Sequence, residues 1–156
     1  MTAAELWREF LEQKQAQGYE VEAFQFYESF QFGVEDKMID DLAQLVKDGI
    51  KTATASAYPM YELEGASLPQ ADTYSIVLGS HGEAVCLIRT TDVTLVPFDQ
   101  VSAQHAYKEG EGDRSLAYWR QVHEDFFKQE LAQVDLSFTS QMLVVCEEFQ
   151  VVKIVE

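Results

Sequence analysis

The sequence is poor in positive charge: 11 Lys and Arg stand against 27 Asp and Glu, a formal net charge of −16. The average field repels phosphates and anionic membrane surfaces, which disfavours RNA or DNA as a partner. A single nucleoside carries no backbone charge, so small ligands are not excluded. Cysteine is also scarce. Cys86 and Cys146 sit inside apolar runs at a spacing that fits no zinc motif, and they read as buried free thiols. There is no long apolar run and no charged-then-apolar N-terminal segment, so the expectation is a cytoplasmic protein with no membrane contact. The glycine signatures of nucleotide binding, GxGxxG and GxxxxGKS/T, do not occur, and neither does a GxSxG nucleophile elbow.

Metal signals are missing too. The alternating acids of Glu109-Gly110-Glu111-Gly112-Asp113 suggest calcium, but the register fails. Counting from Glu109 puts Arg120 where an EF-hand needs its last glutamate, and counting from Asp113 puts Tyr118 where it needs glycine. The three histidines follow no ligand spacing: His81 reads as a turn residue, His105 as a surface helix residue, and His123 as a hydrogen-bonded, half-buried one. No metal or other cofactor is expected.

What is present points to one globular domain. The 156 residues are 47% hydrophobic and include seven Tyr, ten Phe and two Trp, enough to bury a core without staples. Thr2-Ala3-Ala4-Glu5 fits a capping box, and Ala3, Leu6, Trp7, Phe10 and Leu11 recur at helical spacing, so a helix is expected over about 3–17. The aromatic stretch from Tyr19 to Gly33 fits neither helix nor strand cleanly, and its type stays open. A second helix follows, capped by Asp36, with Met38, Leu42, Leu45 and Val46 on its apolar face and Gly49 as its stop. Tyr61 to Gln70 reads as a loop. Thr73–Leu78, Ala84–Thr90 and Val93–Val96 read as a three-stranded meander whose first turn is Gly79-Ser80-His81-Gly82. Phe98 to Lys108 reads as a short helix. A strong one comes next, with Asp113 as N-cap and Leu116, Trp119, Val122 and Phe126 on one face. Met142 to Val155 closes the chain as one strand or a pair. Strands interleaved with helices imply an α+β fold with a small, mostly antiparallel sheet or barrel.

The candidate site centres on Gly49-Ile50-Lys51-Thr52-Ala53-Thr54-Ala55-Ser56, one cation among three hydroxyls with small neighbours that let another group approach the backbone. A threonine hydroxyl attacks only if a base takes its proton, and a lysine serves as base only where burial or nearby cations favour its neutral form. A carboxylate from elsewhere can orient the lysine. Neither Lys51 nor Thr54 is expected to carry much core packing. Residues three apart on a flat strand point to opposite faces, so the backbone must bend between Lys51 and Thr54 or the lysine stem must curl round the edge. The alternative is a small-residue edge strand with a solvated lysine.

GIKTATAS, with the later PFDQV, EGEGDRSLAYWRQVH and MLVVCEEFQVV, resembles the ASCH domain family, in its longer bacterial branch of unknown function, over about residues 24–152. The resemblance implies a PUA-like fold, a small mixed β-barrel with flanking helices, to which the N-terminal helix is an addition. Short bacterial members hydrolyse the acetyl amide of N(4)-acetylcytidine, with a G-x-K-T-x-T motif that supplies a lysine and threonine pair and with a glutamate downstream. Carried over, these fall on Lys51, Thr54 and, through the shared His-Ala-x-x-Glu pattern, Glu109, with Glu111 as the other candidate for the glutamate. The EGEGD-R-S-L stretch departs from those enzymes.

The implied function is an amidohydrolase acting on an acylated nucleoside or similar small amide, Thr54 attacking and Lys51 as base. Thr52, Ser56, Arg89, Glu111 and Arg114 are the candidate substrate contacts. The alternatives are a module that binds a nucleoside or RNA end without turnover and, more weakly, a ribonuclease.

Overall fold

The computed structural model describes residues 1–156. The elements run α1 (Ala3–Ala16), β1 (Phe26–Phe30), α2 (Asp36–Lys47), β2 (Ala53–Ala57), α3 (Tyr58–Glu64), β3 (Tyr74–Leu78), β4 (Ala84–Pro97), α4 (Ala103–Glu109), α5 (Leu116–Ala132) and β5 (Leu143–Ile154). Single turns of 3-10 helix lie at Ala23–Gln25 and Phe98–Gln100. The strands form one five-stranded sheet in the order β1, β3, β4, β5, β2. β1 is parallel to β3, while β3 with β4 and β2 with β5 are antiparallel. The α+β architecture expected from the sequence, a mixed sheet with flanking helices and an added N-terminal helix, is borne out. No helix is long and apolar enough to cross a membrane.

The chain forms two compact units. One comprises Met1–Ile50, Pro69–Asp92 and Phe149–Glu156. Its N-terminal helix starts as the capping box requires: Thr2 Oγ1 accepts from the Glu5 N–H at 3.1 Å, and the Glu5 carboxylate accepts from the Thr2 N–H at 2.8 Å. Leu6 and Phe10 of α1 then pack on Tyr74 and Ile76 of β3 and on Ala84 and Leu87 of β4. A second cluster joins Leu42, Ala43 and Val46 of α2 to Val77, Cys86, Ile88 and Phe149. Met38, expected on the inner face of α2, is exposed instead, and Ile39 takes its place in the core. The undecided aromatic stretch is a 3-10 turn leading into β1.

The other unit comprises Lys51–Leu68 and Val93–Glu148. Its core gathers Trp119, Phe127 and Leu131 of α5 against Phe98, Val101, Ala106, Val144 and Cys146, with Ala57 of β2. Burying a Phe as completely as Phe127 stabilises the fold by roughly 1.5–3 kcal/mol.

Four local expectations are corrected. The stretch read as a loop from Tyr61 begins inside α3, which has Pro59 in its first turn, where the missing N–H costs nothing, and left-handed Gly65 as its stop. The expected second and third strands of the meander are one strand, β4, which runs through Thr91-Asp92 without reversing, there being neither Gly nor Pro at that point to break it. Ser115 rather than Asp113 caps α5, its Oγ accepting from the Tyr118 N–H, while Asp113 accepts from the Ser115 N–H. On α5 the buried stripe is Trp119, Phe127 and Leu131, and Phe126 is exposed.

Candidate functional site

Lys51 lies between the glycine that ends α2 and the first residue of β2. It is therefore ahead of the strand, not in it, and the strand pleat does not fix its direction. The next residue ties this segment to α4: the Thr52 N–H donates to the Lys108 carbonyl at 2.7 Å and its hydroxyl to the same oxygen at 3.3 Å. The last carbonyls of a helix have no partner within it, and here Lys108 O finds one in Thr52. Lys51 does the same with its side chain, its Nζ lying 3.4 Å from the Glu109 carbonyl. An ammonium at a helix C-terminus also sits at the negative end of the helix dipole.

Two carboxylates complete the shell. Lys51 Nζ is 2.8 Å from Glu111 Oε2 and 3.4 Å from Glu109 Oε1, and it donates to the Ala53 carbonyl at 3.0 Å. The glycines that separate the glutamates explain how both reach one cation. Gly110 ends α4 in the left-handed region at φ 75°, which turns the chain back so that residue 111 follows residue 109 onto the same group. Gly112, at φ 59°, lies under the ring of Tyr118, where an added Cβ would come within 2.4 Å of ring carbon.

Glu109 is the hub. Its Oε2 accepts from the indole N–H of Trp119 and from His105 Nε2 at 2.7 Å, while its Oε1 faces Lys51 and His123 Nε2, both at 3.4 Å. The other nitrogen of His123, Nδ1, donates to the Trp119 carbonyl at 2.9 Å. A carboxylate offers about four lone-pair positions, and here four donors surround it. Burial opposes ionisation of Glu109, but the Lys51 charge, hydrogen bonds from His105 and His123, and the His123 charge outweigh it and hold the group well below the usual carboxylate range. At neutral pH Glu109 is thus an anion whose acceptor positions all face donors.

Lys51 and Glu109 are each 2% exposed, and Lys51 is among the largest fully buried side chains in the molecule. The expectation that Lys51 carries little packing is corrected. An ammonium has three N–H donors and no acceptor, and the four oxygens around this one engage all three. In this arrangement Lys51 is a donor; accepting a proton would first require losing one and breaking these bonds. The outward members of the cluster are Glu111, His123 and His105, whose side chains are 16%, 13% and 10% exposed.

The remaining candidates are dispersed. Thr54 is a β2 residue paired with Glu147, and the pleat turns it to the face away from Ala53 and Ala55; no hydrogen bond joins it to Lys51 or Glu109. Ser56, on the same face as Thr54, bonds the Tyr61 hydroxyl at 2.8 Å. Arg114 stacks on the Tyr107 ring, 3.6 Å from its centroid, and its Nε donates to the Tyr107 carbonyl at the end of α4. Arg89 belongs to the other unit, where it pairs with Asp72 at 2.7 Å. His105 and Trp119, which read from the sequence as surface and packing residues, both bond Glu109 and belong to the cluster. The signal was there in part: His105 and Glu109 stand four apart on one helix.

His105 also forms part of the wall of a cavity of about 180 Å³. Thr94 of β4, Gln104 and Lys108 of α4, and Cys146 and Glu148 of β5 line it as well. This is smaller than the roughly 300–1,000 Å³ of pockets that enclose drug-sized ligands, and has room for one ring of a ligand whose remainder lies outside it. Burial, with the charges of Glu109 and Glu147, pushes the Cys146 thiol up to about 12, so it lines the cavity as an inert group.

Comparison with known proteins places the chain in a family. A crystal structure of a protein of the family DUF984 from Enterococcus faecalis V583 superposes with a TM-score of 0.86 at 36% identity, covering 97% of this chain and 88% of that one. That of an ASCH domain from Lactobacillus crispatus JV V101 does so with 0.82 at 31%, covering 96% and 95%. The hypothetical protein PH0355 shares the fold alone, at 0.52 and 13% identity over 80% of this chain and 96% of that one. No protein of curated function matches. The family model described as ASCH domain matches residues 28–153. The chain belongs to the ASCH domain family.

Proposed function

We propose that this ASCH domain is a binding module for a small nucleoside-like ligand, received in the cavity that His105 walls, with Lys51 and Glu109 as the buried frame of the site. The observation that carries this reading is the burial of Lys51 and Glu109 at 2% exposure each, beside a cavity that touches His105. A group meant to exchange a proton with substrate needs to reach it within hydrogen-bond distance or through one water. These two are enclosed, and their hydrogen-bonding capacity is taken. What they do is fix the Nε2 of His105 and the end of α4, so that the wall of the cavity is preorganised. The net charge of −16 favours a single small ligand over an RNA strand, and it weighs equally against a ribonuclease.

One observation favours a second reading, hydrolysis of an acylated nucleoside such as N(4)-acetylcytidine or a similar small amide. Glu111, 2.8 Å from Lys51, is partly exposed and offers a carboxylate base within reach of solvent. In that reading water attacks the acyl carbon in place of Thr54 and Glu111 takes its proton; as the C–N bond breaks, Glu111 returns the proton to the departing amine and acetate is released, while Lys51 holds Glu111 in position.

Titration calorimetry with the four ribonucleosides and N(4)-acetylcytidine, run beside an assay for released acetate, separates the two. Saturable binding without acetate, weakened by Gln104→Ala and Thr94→Val at the cavity wall, is the expected result. Acetate release that is lost in Glu111→Gln, with the protein still folded, would replace the binding reading by the hydrolytic one.

A further inference from the structure

We propose that the Lys108–Glu148 ion pair makes this cavity selective for uncharged ligands, admitting a nucleoside and refusing its 5′-phosphate, with Glu148 as the specificity-determining residue. The inference rests on the binding reading above and adds the charge class of the ligand to it.

Lys108 and Glu148 are the two fixed charges among the residues that line the cavity. They stand on different elements, α4 and β5, and their side chains meet Nζ to Oε1. At 46% and 39% exposure they lie at the rim, while His105, at 10%, lies within. Lys108 is the one Lys or Arg of the lining, and its charge is already matched. The imidazole of His105 has its Nε2 committed to Glu109. A phosphate entering here would have to take Lys108 from Glu148 and would then face that carboxylate, a like charge, with no other Lys or Arg in the lining to draw on.

The net field has the same sign: Glu147 adjoins Glu148 in β5, and the chain as a whole carries −16. An uncharged ligand meets none of this opposition and leaves the ion pair intact. Rejection by an unmatched carboxylate is a common way to build selectivity, because the unwanted ligand is penalised without any contact being tuned for the wanted one.

The test titrates wild type, Glu148→Gln and Lys108→Gln with the four ribonucleosides and their 5′-monophosphates at low ionic strength, reading the ratio of nucleoside to monophosphate affinity. Both side chains are solvent-exposed, so the variants are expected to fold, and circular dichroism checks this. In wild type the ratio should favour the nucleoside by on the order of 30-fold; Glu148→Gln should lower it by about 10-fold and Lys108→Gln should raise it, both effects shrinking with added salt. The opposite directions distinguish a charge filter from loss of structure. A ratio near one in wild type, or an unchanged ratio in Glu148→Gln, overturns the role of Glu148 while the binding reading stands. Absence of binding by every nucleoside and monophosphate to all three proteins overturns the binding reading itself, and this inference with it.

Discussion

The indole N–H of Trp119 donates to the carboxylate of Glu109, so one of the two tryptophans of the chain is bonded directly to the hub of the buried charge cluster. With Trp7→Phe removing the other indole, the emission of Trp119 should report the charge on Glu109. Because its ionisation is favoured in the fold, Glu109 contributes stability that is present above the unfolded glutamate value of about 4.3 and is lost as pH falls towards its lower folded value. The expected result is an emission change in acid that coincides with loss of near-UV circular dichroism. A change centred near pH 4.3 with the fold intact would show Glu109 to be an ordinary glutamate.

Lys51→Met should leave Glu109 and Glu111 without their shared cation. Removing one partner of a buried pair costs about 3–5 kcal/mol, which for a chain of this size lowers the Tm by on the order of 10 °C. Glu109→Gln should have the same sign, and Glu111→Gln a smaller effect because Glu111 is partly solvated. Thr54→Val, on the other face of β2, should change Tm little. Calorimetry that finds Lys51→Met within a degree of wild type would remove the structural role assigned to the pair.

Gly112→Ala brings a Cβ within 2.4 Å of the Tyr118 ring and places alanine at φ 59°. Tyr118 is 39% exposed and can swing aside, so most of the cost is the left-handed backbone, about 1–2 kcal/mol. Denaturant titration should therefore find that Tyr118→Ala rescues only a small part of the loss. Full rescue would put the cost in the ring contact instead.

Glu130 of α5 is held above the usual carboxylate range, first by burial and then by the nearby charge of Glu64. A raised folded value means that the ionised group opposes folding at neutral pH and that the opposition fades as pH falls through that value. Glu130→Gln should stabilise the protein at pH 7, by roughly 0.5 kcal/mol, and the gain should vanish near pH 4. Equal gains at both pH values would point to packing rather than charge.

The parts of the fold that were legible in the sequence are those where local chemistry decides the outcome. The capping box at Thr2, the stop at Gly49 and the turn at Gly79–Gly82 each depend on residues a few positions apart. The meander was misread because Thr91-Asp92 lies between two apolar runs and looks like punctuation, while strand pairing carries the chain straight through it. The site was legible as a set of residue types, since Lys51, Glu109 and Glu111 do meet. Its meaning was not legible. Whether a lysine is a base or a strut depends on how many acceptors surround it, and those acceptors come from residues 53, 109 and 111. His105 was missed because a histidine in a short helix looks solvated until the tryptophan of the next helix is packed on it, with ring centroids 6.1 Å apart.

The single glycine between Glu109 and Glu111 has a consequence for how the chain can vary in length. Surface loops ordinarily tolerate insertions, because each added residue costs little closure entropy. Here the turn at Gly110 sets both carboxylates on one ammonium, and one added residue would move Glu111 out of register with Lys51 while Glu109 stayed where α4 puts it. The loop that follows α4 should therefore be fixed in length over these three positions, and free to lengthen only beyond Gly112.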